Sequence, residues 1–289
     1  MNISNIKHTT KMLGVVTLYN PEPDEAVENI KRYIGDLDTL IIWDNSPLEK
    51  NVKNEVLSRL SDVAEKIIWH GDGKNYCIAP AINYAWKYAK EYAYTLLLIM
   101  DQDSQWKNFS EYRKIIECII GRGEIYVFKP YIVGDDHWKA DKDIIFRRRF
   151  INSGTVFPIE ILDKINGADD VFALDALDTD LSIRTLVAGY KIACLTKGKL
   201  IHTIGKPKRS RFLRIFTNDY GRERTYSITK SHIICYRKNK KYLNFDEKKI
   251  FFKEILMWKF IRIILVENDK IGRMKMYLKG IKEGLNYNF

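Results

Sequence analysis

The chain has 289 residues, of which 46% are hydrophobic and 12% aromatic, and its 48 lysines and arginines outnumber its 37 aspartates and glutamates by 11. This apolar content is enough for a packed core, which excludes a disordered chain. The 16 glycines and 7 prolines are too few for a collagen-like or linker-dominated protein. No window offers the roughly 18 uncharged apolar residues of a membrane span, and residues 1–11 lack an apolar signal core. We therefore expect a cytoplasmic protein.

The cysteines do not form a recognisable framework. No two are spaced as a CxxC pair, and no histidine stands at zinc spacing from them. We therefore expect reduced thiols rather than disulfides or a zinc site. The cysteines are Cys77, Cys118, Cys194 and Cys235.

The first half of the chain alternates short apolar runs with amphipathic stretches. The apolar runs predict strands, and the stretches between them predict helices. This alternation is typical of an α/β fold with a mostly parallel central sheet flanked by helices. The predicted strands are 13–19, 40–43, 66–69 and 95–100, and the predicted helices are 24–34 and 78–92.

The second half is less regular. We predict a helix over 178–188, ended by Gly189. From about Phe216 onward the sequence changes to basic, aromatic-rich helical stretches, so we predict one domain over 1–215 and a C-terminal helical extension over 216–289. Further strands are predicted at 124–129, 144–150, 155–157, 191–195 and 199–204.

Polar residues follow four of the predicted strands. In parallel α/β sheets, ligands bind beyond the carboxyl ends of the strands. Four strand ends that carry acids and amides therefore indicate one common site. These residues are Thr17 and Asn20, Asp44 and Asn45, 72–75, and 101–103.

Asp101 and Asp103 flank a single residue directly after the most apolar strand. Such a pair suits a hard divalent cation, which in turn can hold a diphosphate. The alternative is a solvated loop, or an N-cap for a helix after Ser104.

Two further residues are candidates for chemistry. Asp178 stands at the start of a predicted helix, where it can cap the helix, or accept a proton from an attacking hydroxyl. His202 lies within a predicted strand, as a core residue or as a member of an Asp/His metal site. A basic run follows it and is either a solvated face or a clamp for phosphates. That run comprises Lys206, Lys208, Arg209 and Arg211.

These pieces occur together in a recognisable order. The ordered set resembles glycosyltransferase family 2, which has the GT-A (nucleotide-diphospho-sugar transferase) fold, and within it the bacterial rhamnosyltransferase-like branch. The match extends over nearly the whole chain, and Cys77 stands where the family often has glycine. The matching segments are 14–21, 44–46, 75–83, 101–104, 152–154, 178–184, 189–191 and 202–205.

The resemblance implies a role for each matched residue. The donor-binding residues would be Thr17, Asn20, Asp44, Asn75 and Asp101. The ligands of Mg2+ or Mn2+ would be Asp103 and His202, and the general base would be Asp178. The residues bordering the acceptor would be Ser153 and Gly154.

The implied activity is the inverting transfer of a sugar from a nucleotide-sugar donor to a polyprenyl-diphosphate-linked saccharide, in the synthesis of O-antigen, capsule or another bacterial polysaccharide. The preferred donor is dTDP-L-rhamnose, with UDP-hexoses and UDP-galactofuranose as alternatives. A basic nucleic-acid-binding protein would also suit the charge, but acids at four strand ends would repel phosphates without a metal. A nucleotidyltransferase would open with a Gly-rich basic loop, which 17–21 lacks.

The segment 251–265 is apolar with interspersed lysines and arginines. As a helix it has a broad apolar face and a basic edge. It is either packed on the catalytic domain or lies on an anionic membrane surface, which would place the protein peripherally on the inner face of the cell membrane.

Overall fold

The computed structural model describes residues 10–134, 142–172, 174–202 and 216–289, together with the backbone of 208–209. Its contacts divide the chain into two compact units. Unit 1 comprises Met1–Ala173 and Arg184–His202, and unit 2 comprises Leu174–Ile183 and Thr203–Phe289. The assignment of 1–215 and 216–289 to a catalytic domain and an extension stays a prediction.

Unit 1 is built on a nine-stranded sheet with the order β3-β2-β1-β4-β8-β6-β9-β5, in which β7 also pairs with β9. The first four strands pair in parallel, as the alternating pattern predicts. Beyond β4 the sheet is mixed, because β8 runs antiparallel to both β4 and β6. The strands are β1 (Met12–Leu18), β2 (Thr39–Asp44), β3 (Ile67–His70), β4 (Leu96–Asp101), β5 (Ser104–Trp106), β6 (Val127–Ile132), β7 (Ile144–Arg147), β8 (Thr155–Pro158) and β9 (Ile192–His202).

Strand β4 lies in the interior of the sheet and is buried from Leu96 to Met100. A strand with a neighbour on each side and both faces covered needs apolar side chains at every position, which explains its uninterrupted run. The predicted α/β fold class is confirmed.

The helices predicted over 24–34 and 78–92 are α1 and α3, and the helix predicted over 178–188 is α6. The strands predicted at 191–195 and 199–204 form one strand, β9, with a register shift where it pairs with β6. The α-helices that begin in the described part of unit 1 are α1 (Pro23–Lys31), α2 (Lys53–Arg59), α3 (Ala79–Glu91), α4 (Phe109–Gly121) and α5 (Ile159–Ile165), and α6 (Leu177–Val187) begins in unit 2.

Unit 2 consists mainly of helices. The longest pair, α7 and α10, approach closely because two glycines one turn apart face α7: a Cβ at Gly280 would lie 2.9 Å from the Tyr226 carbonyl, and one at Gly284 would lie 2.9 Å from Ile233 Cβ. None of the helices in the described parts of the chain combines the length and the hydropathy needed to cross a membrane. The helices are α7 (Arg222–Asn239), α8 (Phe245–Ile250), a π-helix (Phe251–Trp258), α9 (Lys259–Leu265) and α10 (Lys270–Asn286), and a two-stranded sheet pairs β10 (Lys208–Arg209) with β11 (Phe216–Thr217).

A buried ionic network joins β11 to α9 and α10. Glu267 is 2% exposed and accepts hydrogen bonds from Thr217 Oγ1 at 2.8 Å, Lys259 Nζ at 3.3 Å and Arg273 at 3.1 Å. Burial lowers the pKa of Lys259, and the neighbouring Glu267 opposes that shift. Buried charges of this kind are tolerated because each faces an opposite charge.

Two glycines with positive φ differ in how closely the surrounding residues of unit 1 pack against them. Gly154 has φ +76°, and a Cβ there would lie 2.7 Å from Pro130 Cγ and 2.9 Å from Leu200 Cδ2, whereas Gly123 has φ +79° and open space. For Gly123→Ala we expect only the left-handed backbone strain, a loss of about 1–2 kcal/mol of unfolding free energy. For Gly154→Ala we expect about 1–3 kcal/mol more from overpacking. Urea denaturation of the two variants measures the difference in unfolding free energy. Equal losses in the two variants would contradict the close packing around Gly154.

Candidate active site

The residues predicted to bind a metal come together at the end of β4. One ligand atom each from Asp101, Asp103 and His202 lies within 4.8 Å of the others. Asp101 ends β4, and His202 ends β9. The antiparallel pairing of β5 with β9 places Ser104 opposite His202, so the strand just after Asp103 holds the histidine beside the acidic pair.

A chain of hydrogen bonds runs behind this group. His202 Nδ1 is 2.8 Å from Ser104 Oγ, and the Ser153 hydroxyl lies 2.7 Å from the same Oγ. The Asp101 N–H donates to Ser153 Oγ at 3.1 Å. Both serines are fully buried, so their hydrogen bonds are screened from water.

The chemistry of the three side chains fits a divalent cation. Two carboxylates and an imidazole form a donor set that Mn2+ accepts, and carboxylates together with phosphate oxygens suit Mg2+. The Asp103 side chain is 49% exposed and that of His202 is 14% exposed, so the group opens to solvent on the side of Asp103. The group can therefore receive a cation together with an anionic ligand.

The ends of β1 and β2 lie beside this group in the sheet. Thr17 pairs in register with Trp43 on β2 and with Asp101 on β4, and Asp44 follows Trp43. Ser46 links two predicted donor residues, because its hydroxyl accepts from the Asn20 N–H at 2.8 Å and its N–H donates to Asp44 Oδ1 at 2.9 Å. The sheet thus brings together the residues that follow its parallel strands.

Asp178 belongs to unit 2, where it lies in the first turn of α6 and accepts a hydrogen bond from the Thr179 N–H at 2.7 Å. Two neighbouring aspartates form ion pairs within the same unit: Asp175 with Arg224 at 3.0 Å, and Asp180 with Lys238 at 3.0 Å. Burial raises the pKa of Asp175, and Arg224 opposes the shift. The role predicted for Asp178 as a base stays a prediction.

The residues predicted for the acceptor occupy the interior of unit 1. Ser153 is fully buried, and Gly154 accepts a hydrogen bond from the Tyr112 hydroxyl at 3.2 Å through its carbonyl oxygen. Their acceptor role stays a prediction. The predicted phosphate clamp lies outside the described side chains: Lys206 and Arg211 are not among the described residues, and Lys208 and Arg209 are described by their backbone alone.

No protein-family model matches the chain. The dTDP-rhamnosyl transferase RfbF of Shigella flexneri is 23% identical over 309 residues, covering 96% of this chain and 99% of RfbF. The mannosyltransferase PcManGT of Pyrobaculum calidifontis, solved with GDP-Man and Mn2+, superposes with a TM-score of 0.57 at 12% identity over 98% of this chain and 77% of its own.

S. aureus TarS 1–349, solved with UDP-GlcNAc, superposes with a TM-score of 0.56 at 11% identity over 96% of this chain and 81% of its own. The chain spans about half of the longer solved TarS chain, 49%, with a TM-score of 0.56 at 10% identity. At these identities the structural likeness establishes the fold. The likeness to RfbF, which extends over nearly the whole of both chains, confirms the resemblance to the bacterial rhamnosyltransferase-like branch.

The chain is a glycosyltransferase of the GT-A fold.

Gln102 and Asn45, which the sequence placed after predicted strands without giving either a role, hold the active-site edge of this glycosyltransferase in place through hydrogen bonds. Gln102, between the two aspartates, accepts from the Tyr19 N–H at 2.7 Å through Oε1, and its carbonyl accepts from Asn29 Nδ2 at 2.8 Å. Asn45 accepts from the Tyr76 N–H at 2.9 Å and donates to the Cys77 carbonyl at 3.0 Å. A polar residue after a strand is visible in the sequence, but its partners, which lie 31 to 83 residues away, are not.

The loop that carries Asn75 has a constrained backbone. Cys77 has φ +62°, the left-handed region that glycine adopts most easily, which explains why the family often has glycine there. Asn75 is exposed, and its Oδ1 accepts from the Cys77 N–H at 2.8 Å. Since Asn45 also binds this turn, the end of β2 and the loop after β3 are tied together.

An aromatic cluster lines the same edge. The rings of Trp43 and His70 are stacked at 4.1 Å, and Tyr84 lies 4.8 Å from His70. Trp43 is buried and donates from Nε1 to Asn45 Oδ1 at 3.1 Å. Asn45 therefore positions the indole as well as the loop.

Replacing Asn45 by alanine removes three hydrogen bonds and leaves the buried indole N–H of Trp43 without its acceptor. Because an unsatisfied buried group destabilises by about 1–3 kcal/mol, we expect Asn45→Ala to lower the unfolding free energy by about 2 kcal/mol. We also expect faster proteolysis of the loop at 72–77. The exposed Asn54 of α2 is the matched control, and Asn54→Ala should change stability by less than about 0.5 kcal/mol. An equal loss of unfolding free energy in the two variants would contradict the stabilising role of the Asn45 hydrogen bonds.

Proposed function

We propose that this protein is an inverting, metal-dependent glycosyltransferase that transfers a sugar from a nucleoside diphosphate donor to a lipid-linked saccharide in bacterial polysaccharide synthesis. The observation that carries the proposal is the Asp101, Asp103 and His202 group at the end of β4. It lies beside Thr17 and near the polar ends of β1 and β2, where a nucleotide could lie with its diphosphate at the acidic group.

Cleavage of a nucleotide sugar leaves a diphosphate on which negative charge accumulates. A Mg2+ or Mn2+ ion held by Asp103 and His202, beside Asp101, would stabilise that charge, which is usually the largest catalytic contribution. The donor would be bound by Thr17, Asn20, Asp44, Asn75 and Asp101. The donor would then be oriented by groups that the hydrogen bonds of Ser46, Gln102 and Asn45 already hold in place.

The acceptor hydroxyl needs a carboxylate that accepts its proton as it attacks the anomeric carbon from the face opposite the leaving group. We assign this role to Asp178. Asp178 lies in the first turn of α6, within unit 2. A single displacement of this kind inverts the anomeric configuration and needs no covalent sugar–enzyme intermediate. Ser153 and Gly154 would border the acceptor.

The similarity to RfbF supports dTDP-L-rhamnose as the donor, since that relative is a dTDP-rhamnosyl transferase and matches over nearly its whole length. The more distant structures contain GDP-Man and UDP-GlcNAc, so the fold itself accepts several nucleotides. UDP-hexoses and UDP-galactofuranose are therefore the alternatives. The acceptor that we propose is the one implied by the resemblance to the bacterial rhamnosyltransferase-like branch, a polyprenyl-diphosphate-linked saccharide of O-antigen, capsule or cell-wall synthesis.

A lipid-linked acceptor would bring the enzyme to a membrane, and unit 2 has a surface suited to it. A groove of about 560 Å3 between α9 and α10 is lined by apolar side chains with Lys270 and Lys275 among them. Residues 216–289 contain 17 lysines and arginines and 8 aspartates and glutamates. An apolar surface with lysines beside it fits an anionic lipid headgroup layer. Its exposed apolar side chains are Phe260, Ile264, Ile271 and Leu278.

Transfer assays with Mn2+ or Mg2+ test the enzyme assignment. We expect turnover with dTDP-L-rhamnose in preference to the UDP sugars. Asp103→Asn should lower the rate by about 10²-fold or more because the leaving group loses stabilisation. Asp178→Asn should lower it by about 10²–10⁴-fold, the range for loss of a general base. The exposed Asp62 is the control, and Asp62→Asn should leave the rate unchanged. Full activity of Asp103→Asn or Asp178→Asn would remove the corresponding assignment.

Vesicle sedimentation tests the membrane surface. We expect the protein to pellet with phosphatidylglycerol vesicles at low salt and to be released at high salt, because screening weakens attraction between surface charges. The double variant Ile271→Asp and Leu278→Asp should remain in the supernatant. The exposure of Leu48 in unit 1, 67%, lies between those of Ile271, 75%, and Leu278, 54%, so Leu48→Asp is the matched control that should still pellet. Equal binding to neutral vesicles, or no binding to either, would count against the proposal.

A further inference from the structure

Unit 2 contains a cavity that the proposed function does not use. It has a volume of about 300 Å3 and lies between β11, α7, the π-helix and α9. Every residue that lines it belongs to unit 2. Ligand pockets of this volume are at the small end of the usual range, so the cavity suits a single small ring rather than a whole nucleotide.

One wall of the cavity is the π-helix Phe251–Trp258, a rare form of helix in proteins. Its Glu254 and Ile255 line the cavity, and α9 continues the same wall with Lys259 and Arg262. π-helical turns occur frequently at functional sites. The backbone of this wall is therefore an indication of ligand binding that is independent of the volume of the cavity.

The charges in the cavity wall balance. Among the described lining residues there are two cations, Lys259 and Arg262, and two anions, Glu254 and Glu267. Lys259 Nζ lies 3.3 Å from Glu267 Oε1, and Arg262 donates to Glu254 Oε2 at 3.1 Å. A phosphate or carboxylate ligand would have to compete with the two glutamates for the same donors, and their charge would repel it. The lining therefore favours a neutral ligand.

The wall retains hydrogen-bonding groups that a ligand can use. Asn218 Nδ2 donates to the Tyr220 hydroxyl at 2.9 Å, which leaves the amide oxygen as an acceptor and the phenol proton as a donor. Arg262 has five N–H groups, and the acceptor that its guanidinium finds in the described part of the chain is Glu254. Donors and acceptors side by side match a hydroxyl group, which both donates and accepts.

Aromatic and apolar surface completes the lining. It includes the rings of Phe216 and Tyr220 and the side chain of Ile228. The Tyr220 ring is held in place, because the Arg224 guanidinium lies over it at 5.6 Å and is itself paired with Asp175 at 3.0 Å. A pyranose ring has both of the required surfaces, since its C–H groups pack against an aromatic face and its hydroxyls form hydrogen bonds at its edge.

We propose that this cavity is a saccharide-binding site that takes one neutral sugar unit, with Tyr220 as the aromatic contact and Asn218 and Arg262 as hydrogen-bonding partners. Neither a metal ion nor a nucleotide is needed for this binding, because the lining contains none of the residues assigned to the donor or the metal. The site goes beyond the transfer reaction. It would hold a saccharide chain on unit 2 whether or not the donor is bound.

Titrations of the full chain with simple glycosides test the ligand class. Methyl α-L-rhamnoside, methyl α-D-mannoside and methyl β-D-galactoside are added without metal or nucleotide, and binding is followed by saturation-transfer NMR. We expect at least one of them to bind with a dissociation constant of about 1–10 mM, the scale for so small a ligand. Glucose 6-phosphate and glucuronate should bind about tenfold more weakly or less. Failure of all three glycosides to bind, or tighter binding of either anion, would overturn the proposal.

Variants of the lining test where the glycoside binds. Tyr220→Phe keeps the ring and loses the hydroxyl, so we expect affinity to fall about two- to tenfold. Ile255→Trp places a larger side chain in the cavity and should abolish binding. Tyr242 is exposed and lies outside the lining, and Tyr242→Ala is the control that should bind as the unmodified protein does. Urea denaturation checks that each variant is folded.

Unchanged glycoside affinity in both Tyr220→Phe and Ile255→Trp would show that the sugar binds elsewhere and would overturn the proposal. The outcome is distinguishable from that of the proposed function. Failure of every nucleotide sugar in transfer assays would remove the proposed function without affecting glycoside binding to unit 2. Active transfer by a protein that binds none of the glycosides would remove this inference alone.

Discussion

The antiparallel pairing of β5 with β9 is the constraint on which the candidate active site depends. It sets Ser104 opposite His202 and so carries a histidine from near the end of unit 1 to the acidic pair that follows β4. This three-residue strand is what places the histidine beside the acidic pair. One ligand atom from each of the two carboxylates and the imidazole lies within 4.8 Å of the others.

Hydrogen bonds fix the positions of the polar side chains around this strand pair. Ser104 and Ser153 are fully buried, and Gln102 is bonded to the backbone of Tyr19. Buried polar groups are stable only when each finds a partner, so a network of this kind has few alternative arrangements. A site that binds a diphosphate benefits, because its donors and carboxylates need not reorganise when charge develops.

The two units carry different kinds of charge. In unit 1 the acids that follow the strands lie near one edge of the sheet, whereas residues 216–289 contain 17 basic and 8 acidic residues. Within unit 2 many acids are neutralised in place, as Glu267 is by Lys259 and Arg273. Asp175 and Asp180 are likewise paired, with Arg224 and Lys238.

The sequence by itself determined the α/β class, the apolar strand β4 and the polar residues that follow the parallel strands. These features are local: strand burial requires an unbroken apolar run, and parallel strands place their carboxyl ends at one edge. Only the tertiary structure decided that β8 joins the sheet antiparallel to β4, that Asn45 holds Trp43, and that Ser153 stands behind His202. Each of these three contacts depends on which partner the packing brings close, and in two of them the partner lies tens of residues away along the chain. A polar side chain looks the same in the local sequence whichever group it finally hydrogen-bonds to.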